Sequence, residues 1–323
     1  MLSKELHIQI ERELASFSQS FHHNSLYDPI HYLLSLGGKR IRPALVVMAN
    51  EACGGNRSSA FPAALAVELF HNFTLMHDDI MDNAPSRRGH PTVHEKWNAN
   101  KAILSGDAMF AMAYTLLSKC DEDLIPNLLE LFNKTALEVC EGQELDMNFE
   151  VRNDVSVEEY IEMIRLKTSV LVAAALGMGA ICARANAAVV NALYSFGENL
   201  GIAFQLLDDW LDTFGEQERI GKIRGGDILA DKKTFLIIRT RQIADTASLA
   251  KLDAYSGNKS ANPEEKITFI TSLIRQNQVD QELLALADSY RTKALTSLDM
   301  CSIPNEAKAL FTSFANDLMA RDH

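Results

Sequence analysis

The chain has 323 residues, 47% of them apolar, enough for one large hydrophobic core or two ordinary ones. Its net charge of -12 excludes the basic footprint that general nucleic-acid binding needs. The five cysteines are odd in number and form no CxxC pair, which argues against a disulfide framework or a zinc site and for reduced thiols in a cytoplasmic protein.

Low counts of glycine (16) and proline (8) favour helices over many short strands. The N-terminal stretch MLSKELHIQIERELASF reads as an amphipathic helix without the apolar core of a signal peptide. GGKRIRP, residues 37–43, places Lys39, Arg40 and Arg42 after a glycine pair, near a helix start. A helix is expected from Phe61 to Asp82, unbroken after Pro62, followed by loop chemistry in NAPSRRGHP. The next helix, Asp107 to Cys120, has Asp107 as its expected N-cap and is apolar enough all round to be buried. Another is expected from Asn127 to about Met147, with Gly142 inside it.

Ser156 is the expected cap of the following helix, with acids in its first turn. The apolar run Val170–Ala183, fourteen residues with two glycines, is too short to span a bilayer. A long helix covers NAAVVNALYSFGENLGIAFQLLDDWLD. Residues 214–233 read as a mobile loop, and amphipathic helix returns from about Pro263. With no strand pattern, internal repeat or linker, the expectation is one all-helical domain over residues 1–323.

Two acidic strings interrupt this apolar pattern. Asp78 and Asp82 lie four apart on one helical face, with Asp79 beside them. Asp208, Asp209 and Asp212 repeat the spacing, with Gln205 one turn earlier. Like charges at that spacing destabilise a helix unless a cation sits between them. One such string is commonly a solvated face; two copies on apolar helices point to oxygen ligands for Mg²⁺, which takes one or two carboxylates plus phosphates and water. The arginines and lysines suit phosphate oxygens: Lys39, Arg40, Arg42, Arg87, Arg88, Lys167, Lys222 and Lys232. Each alone is an ordinary surface cation. Together with the acids they suggest two anion pockets, one bridged by metal and one held by bare cations, for a ligand whose organic part is apolar.

From GGKRIRP through ELFHNFTLMHDDIMDNAPSRRGHPTVH, GQELD and KTS to FQLLDDWLDTFG and GGDILADKKT, the chain resembles the trans-isoprenyl diphosphate synthases, the polyprenyl synthetase family. The resemblance implies a single-domain orthogonal helical bundle around a central tail cavity, acting as a homodimer. It implies head-to-tail condensation: an allylic diphosphate ionises, isopentenyl diphosphate attacks the carbocation, and proton loss leaves a chain five carbons longer. Asp78, Asp82 and Asp208 would hold Mg²⁺, three ions per active site in the substrate complex, with Asp79, Asp209 and Asp212 completing or supporting that shell. Arg87, Lys167, Lys222 and Lys232 would bind the allylic diphosphate, and Lys39, Arg42, His71 and Arg88 isopentenyl diphosphate. Thr168 and Gln205, with Lys167, would face the carbocation. Gln143 and Asp146 also match. One departure is DKKT, where the family usually has Gly-Lys-x-Thr: Asp231 replaces the glycine, and either Lys232 or Lys233 is the ligand.

Phe73 and Thr74 stand five and four residues before Asp78. Five residues span about 7.5 Å of helix, so the Phe73 ring is placed to act as the floor of a tail pocket, unless it is ordinary core packing. A single aromatic here, with no insertion in the acidic motif, resembles geranylgeranyl more than farnesyl diphosphate synthases. The alternatives are a terpene cyclase, for which the GGKRIRP block and RRG pair have no use, and an inactive subunit of a heteromeric synthase, which would be expected to lose one acid cluster.

Overall fold

A computed structural model describes residues 3–215, 225–258 and 260–320. Among the described residues the chain is all-α apart from one hairpin of two two-residue strands. Helices α1 to α10 are Lys4–Gln19, Asp28–Ser35, Ile41–Ala52, Arg57–Met81, Val93–Lys96, Ala99–Leu117, Ile125–Glu150, Val157–Ile164, Val170–Cys182 and Ala187–Phe214. Helical segments follow at Gly226–Leu229, Phe235–Ile243, Thr246–Tyr255, Pro263–Gln276, Val279–Asp299 and Asn305–Met319. Contacts divide the chain into two compact units. The first holds residues 1–134, 171–194 and 301–308, and the second holds the rest.

In the first unit, α4 packs on α3 and α6. The Asn56 side chain caps α4 at Ser58 N (3.0 Å), so the helix begins at Arg57, four residues before the expected start, and carries Pro62 inside it. The α6 expectation needs a larger correction. Asn98, accepting from Lys101 N at 2.9 Å, starts that helix at Ala99, and Asp107 lies mid-helix with an exposed side chain. An upstream polar residue took the cap because the helical pattern extends back to it. Nor is α6 buried all round: Ala102, Ser105, Met109, Met112 and Leu116 face inward, while Ile103 and Leu104 are exposed.

The apolar run Val170–Ala183 continues the helix that Ser156 caps. Val157–Cys182 is one continuous helical run, long and apolar enough to cross a membrane, but 72% of its apolar window is buried. Its small residues serve interior packing: a Cβ at Gly179 would lie 2.8 Å from the Ala49 side chain on α3.

The second unit is built on Phe149, Tyr160, Leu206, Leu236, Ile274 and Leu283. Ser156 caps α8 as expected, in a reciprocal capping box with Glu159 (3.1 and 2.9 Å). Between α8 and α9 the helix widens into one π turn, Arg165–Ser169, which the 3.6-residue pattern does not reveal. Two glycines clasp it. A Cβ at Gly142 on α7 would sit 2.7 Å from Lys167 Cα, and one at Gly201 on α10 would sit 2.7 Å from Ser169 Cα. Within the expected loop of residues 214–233, Gly226–Leu229 is helical. Lys222 lies outside the described residues.

Candidate active site

The first unit carries an acidic helix end and a cationic cluster. Helix α4 stops in a reversal: Asn83 takes φ +49, its N–H donates to Ile80 O, and Ala84 N donates to Asp79 O at 2.9 Å. The acids therefore stand at the negative end of the helix dipole, which disfavours carboxylates unless a cation answers them. Asp78 is half-buried and Asp82 exposed. Asp79 differs: it is buried (3% exposed) and receives a bidentate clasp from Arg87, at 2.7 and 2.9 Å. So the middle aspartate acts here as the anchor of Arg87.

NAPSRRGHP, read as loop, holds a tight hairpin. Ser86 pairs with Pro91 and Arg87 with His90. Its turn residues Arg88 and Gly89 both have positive φ (+53 and +78), as a type I′ turn requires. The bend separates the two arginines: Arg87 turns to Asp79, while Arg88 donates to Gly37 O. A Cβ at Gly38 would lie 3.0 Å from the Arg88 guanidinium, so the glycine pair lets that plane lie against the backbone. Arg42 Nη1 donates to His71 Nε2 at 3.1 Å. Arg42, His71 and Arg88 thus surround one region of charge, with Lys39 the chain neighbour of Arg40.

Arg40, in the same basic block, is structural. It is 3% exposed, donates to Glu68 (2.7 Å), Glu11 (2.8 Å) and Leu34 O (2.8 Å), and caps α3 with φ +47.

Burial, then Arg42, Arg88, Arg87 and Arg40, hold the His71 pKa well below the usual histidine value, so its ring is neutral near pH 7. The unfolded chain binds a proton there below about pH 6.5, which the folded chain resists. Stability is therefore lost as pH falls through that value. His71→Gln is expected to flatten the ligand-free pH–stability curve between about pH 6.5 and 5, measured by urea unfolding. An unchanged slope would contradict the burial argument.

Phe73 is half-buried and lies in an aromatic stack: its ring is 5.0 Å from Phe110, nearly parallel at 9°, and 4.7 Å from His77. Phe110 contributes a second ring behind the expected one; only the packing of α4 on α6 brings it there. The Thr74 hydroxyl donates to His71 O at 2.8 Å.

The second unit carries the other acids on the last turns of α10. Asp208 and Asp212 are half-buried. Asp212 Oδ2 accepts from Asp227 N at 2.9 Å, which ties it to the helical turn at Gly226–Leu229. Asp209 is buried (5% exposed); burial, then Asp227, push its pKa up to about 8. It accepts from the Tyr160 hydroxyl and from Gln205 Nε2 (2.9 Å). Gln205 Oε1 in turn accepts from Thr168 Oγ1 at 3.2 Å. Tyr160 carries no motif letter, so sequence reasoning had no signal for it. Lys167, on the π turn, pairs with Asp146 at 2.6 Å, which gives the GQELD block a role in holding that lysine.

The DKKT departure has a local explanation. Asp231 takes φ +56, a conformation glycine adopts without strain. Its carboxylate accepts from the buried Lys266 (2.7 Å) and from Gly257 N (3.0 Å), and its carbonyl accepts from Lys233 Nζ at 3.3 Å.

The donor chemistry fits a hard divalent cation. Carboxylates one turn apart stand at two negative helix ends. Among the described residues no three acids, histidines or cysteines form a closed cage, so a cation there completes its shell with other oxygens, as Mg²⁺ does with phosphates and water.

An all-helical fold that carries two aspartate-rich helix ends and a cluster of cationic donors is the fold and chemistry of a prenyl-transferring enzyme. A sequence model of the family described as "Polyprenyl synthetase" matches residues 23–274. The geranylgeranyl diphosphate synthase of Methanosarcina mazei is 41% identical over 300 residues, covering 92% of this chain and 90% of that one. A crystal structure of a geranylgeranyl pyrophosphate synthase superposes with a TM-score of 0.94 at 45% identity, covering 99% of each chain. That of the Corynebacterium glutamicum enzyme, complexed with isoprenyl diphosphate and magnesium, superposes at 0.90 with 28% identity and 100% coverage of both chains. The chain belongs to the polyprenyl synthetase family, and its helical architecture is that of the isoprenoid synthases.

Proposed function

We propose that the chain condenses isopentenyl diphosphate head-to-tail with an allylic diphosphate, forming geranylgeranyl diphosphate as the favoured product. The observation that carries this reading is the cluster of Arg42, His71 and Arg88 beside the glycine pair. It is a second anion site made of bare donors, for which a terpene cyclase has no use. The names of the similar proteins support the product.

In this reading the whole chain works as one domain, and both acid clusters serve the same allylic diphosphate. Asp78, Asp82 and Asp208 would hold Mg²⁺, with Asp212 in support and three ions in the substrate complex. When bound, the metal neutralises charge on the departing diphosphate. Arg87, fixed by Asp79, and Lys167, fixed by Asp146, add preorganised positive charge for that group, with Lys232 the lysine of DKKT that joins them. Lys39, Arg42, His71 and Arg88 hold isopentenyl diphosphate, with neutral His71 donating from Nδ1. The allylic C–O bond breaks, its electrons leave with the diphosphate, the new C–C bond forms, and the proton passes to the released diphosphate. We place the enzyme in the cytoplasm as a homodimer; its five free thiols support a reducing compartment.

The test is an assay with Mg²⁺, isopentenyl diphosphate and allylic primers of five, ten and fifteen carbons, read by chromatography. Elongation to twenty carbons is expected, and no elongation with any primer overturns the reading. In the same assay Phe73→Ala is expected to move most of the product at least one five-carbon unit longer. Phe110→Ala, which removes the ring behind it, should produce a smaller shift. Unchanged product lengths in both variants would remove this stack as the floor.

A further inference from the structure

The second unit contains a hydrogen-bond chain whose directions are all determined. Tyr160 on α8 is 1% exposed, and its hydroxyl donates to Asp209 Oδ2. Asp209 Oδ1 accepts from Gln205 Nε2 at 2.9 Å. Gln205 Oε1 accepts from Thr168 Oγ1 at 3.2 Å. Both Asp209 oxygens are taken as acceptors, one by Tyr160 and one by Gln205 Nε2, so the Gln205 amide presents nitrogen to Asp209 and oxygen to Thr168. Thr168 must then spend its single proton on Gln205, which leaves its lone pairs outward. If the amide turned over, Nε2 would donate to Thr168 instead, and the threonine proton would point away from the glutamine. That orientation would set a hydrogen, and not an oxygen lone pair, toward a neighbouring cation.

We propose that Tyr160 is a positioning residue that fixes the Gln205 amide, through Asp209, so that Thr168 offers lone pairs to the allylic carbocation. This rests on the condensation reading above. Tyr160 reaches no substrate itself. Its hydroxyl occupies one oxygen of Asp209 and so leaves only the other for Gln205. Without it the carboxylate can rotate, the amide loses its one defined acceptor, and Thr168 samples both orientations. An allylic cation held less well is open to capture by water, which gives the allylic alcohol and inorganic diphosphate in place of the elongated chain.

The test is Tyr160→Phe, which deletes one oxygen and keeps the ring in the core. Expected is a fall in kcat of about tenfold with KM for both diphosphates within about twofold, and a severalfold rise in the fraction of primer recovered as alcohol. A packing defect alone would not alter that partition. In a Gln205→Ala background, Tyr160→Phe should cost nothing further, because the chain is already cut. As a check that does not depend on Tyr160→Phe folding, Thr168→Ser should keep the wild-type partition and Thr168→Val should raise the alcohol. A wild-type partition in Tyr160→Phe, an equal loss with and without Gln205, or equal partitions for Thr168→Ser and Thr168→Val would overturn the proposal. A wild-type enzyme that elongates no primer overturns the condensation reading, and this proposal falls with it.

Discussion

Asp208→Ala is expected to lower kcat roughly a thousandfold, the scale set by loss of one preorganised group that stabilises developing charge, while the protein without metal becomes slightly more stable. The two effects have one cause. Asp208 stands half-buried beside Asp209, on the negative end of α10 and a turn before Asp212. Without a cation the Asp208 and Asp212 charges, four residues apart, repel each other and the helix dipole, so removing one relieves about 0.2–0.5 kcal/mol. In the proposed reaction the same carboxylate would hold the cation that grips the diphosphate. Steady-state kinetics across a Mg²⁺ titration, paired with urea unfolding in chelator, reads both signs. A kcat within tenfold of wild type would remove Asp208 from the metal-holding set. Asp212→Ala is a less clean probe, because Asp212 also accepts from Asp227 N and its loss disturbs the adjoining turn.

Arg40→Ala is expected to cost about 3–5 kcal/mol of stability, the range for breaking a buried ion pair by removing one partner. Arg40 and Glu68 are 3% and 2% exposed and 2.7 Å apart. After the substitution Glu68 keeps only Asn72 Nδ2, at 3.1 Å, while Leu34 O loses its Arg40 donor. The urea midpoint reads the loss, and a change below about 1 kcal/mol would show the pair to be solvated. The double replacement Arg40→Met with Glu68→Leu should recover much of it, since an apolar pair of similar volume leaves no uncompensated charge. Any Arg40 variant that stays folded should also bind isopentenyl diphosphate more weakly, because Arg40 sets the backbone between Lys39 and Arg42.

The sequence carried the helices well wherever one local signal dominated. The Ser156 cap with Glu159 three residues on, and the apolar periodicity of α4 and α10, are written in neighbouring letters. The α6 start was misplaced because Asp107 and Asn98 are both acceptable caps, and the choice between them depends on how far back the helix finds packing partners. The arginine pair was legible as phosphate chemistry. Its division between Asp79 and the glycine pair follows from a hairpin whose turn residue is an arginine at positive φ, a conformation local propensity does not suggest.

By itself the sequence determined the class of chemistry: two carboxylate sets at four-residue spacing, a basic block after two glycines, and apolar helices to carry them. Those follow from residue type and helical period, which are local. Only the tertiary structure decided which of those groups are presented and which are anchors. Asp79 was drawn off by Arg87 eight residues on, Lys167 by Asp146 on another helix, and Asp209 by a buried tyrosine 49 positions away. A side chain's partner depends on what the packed helices bring within about 3 Å of it, and burial makes that partner matter, because an unpaired buried charge is too costly to keep.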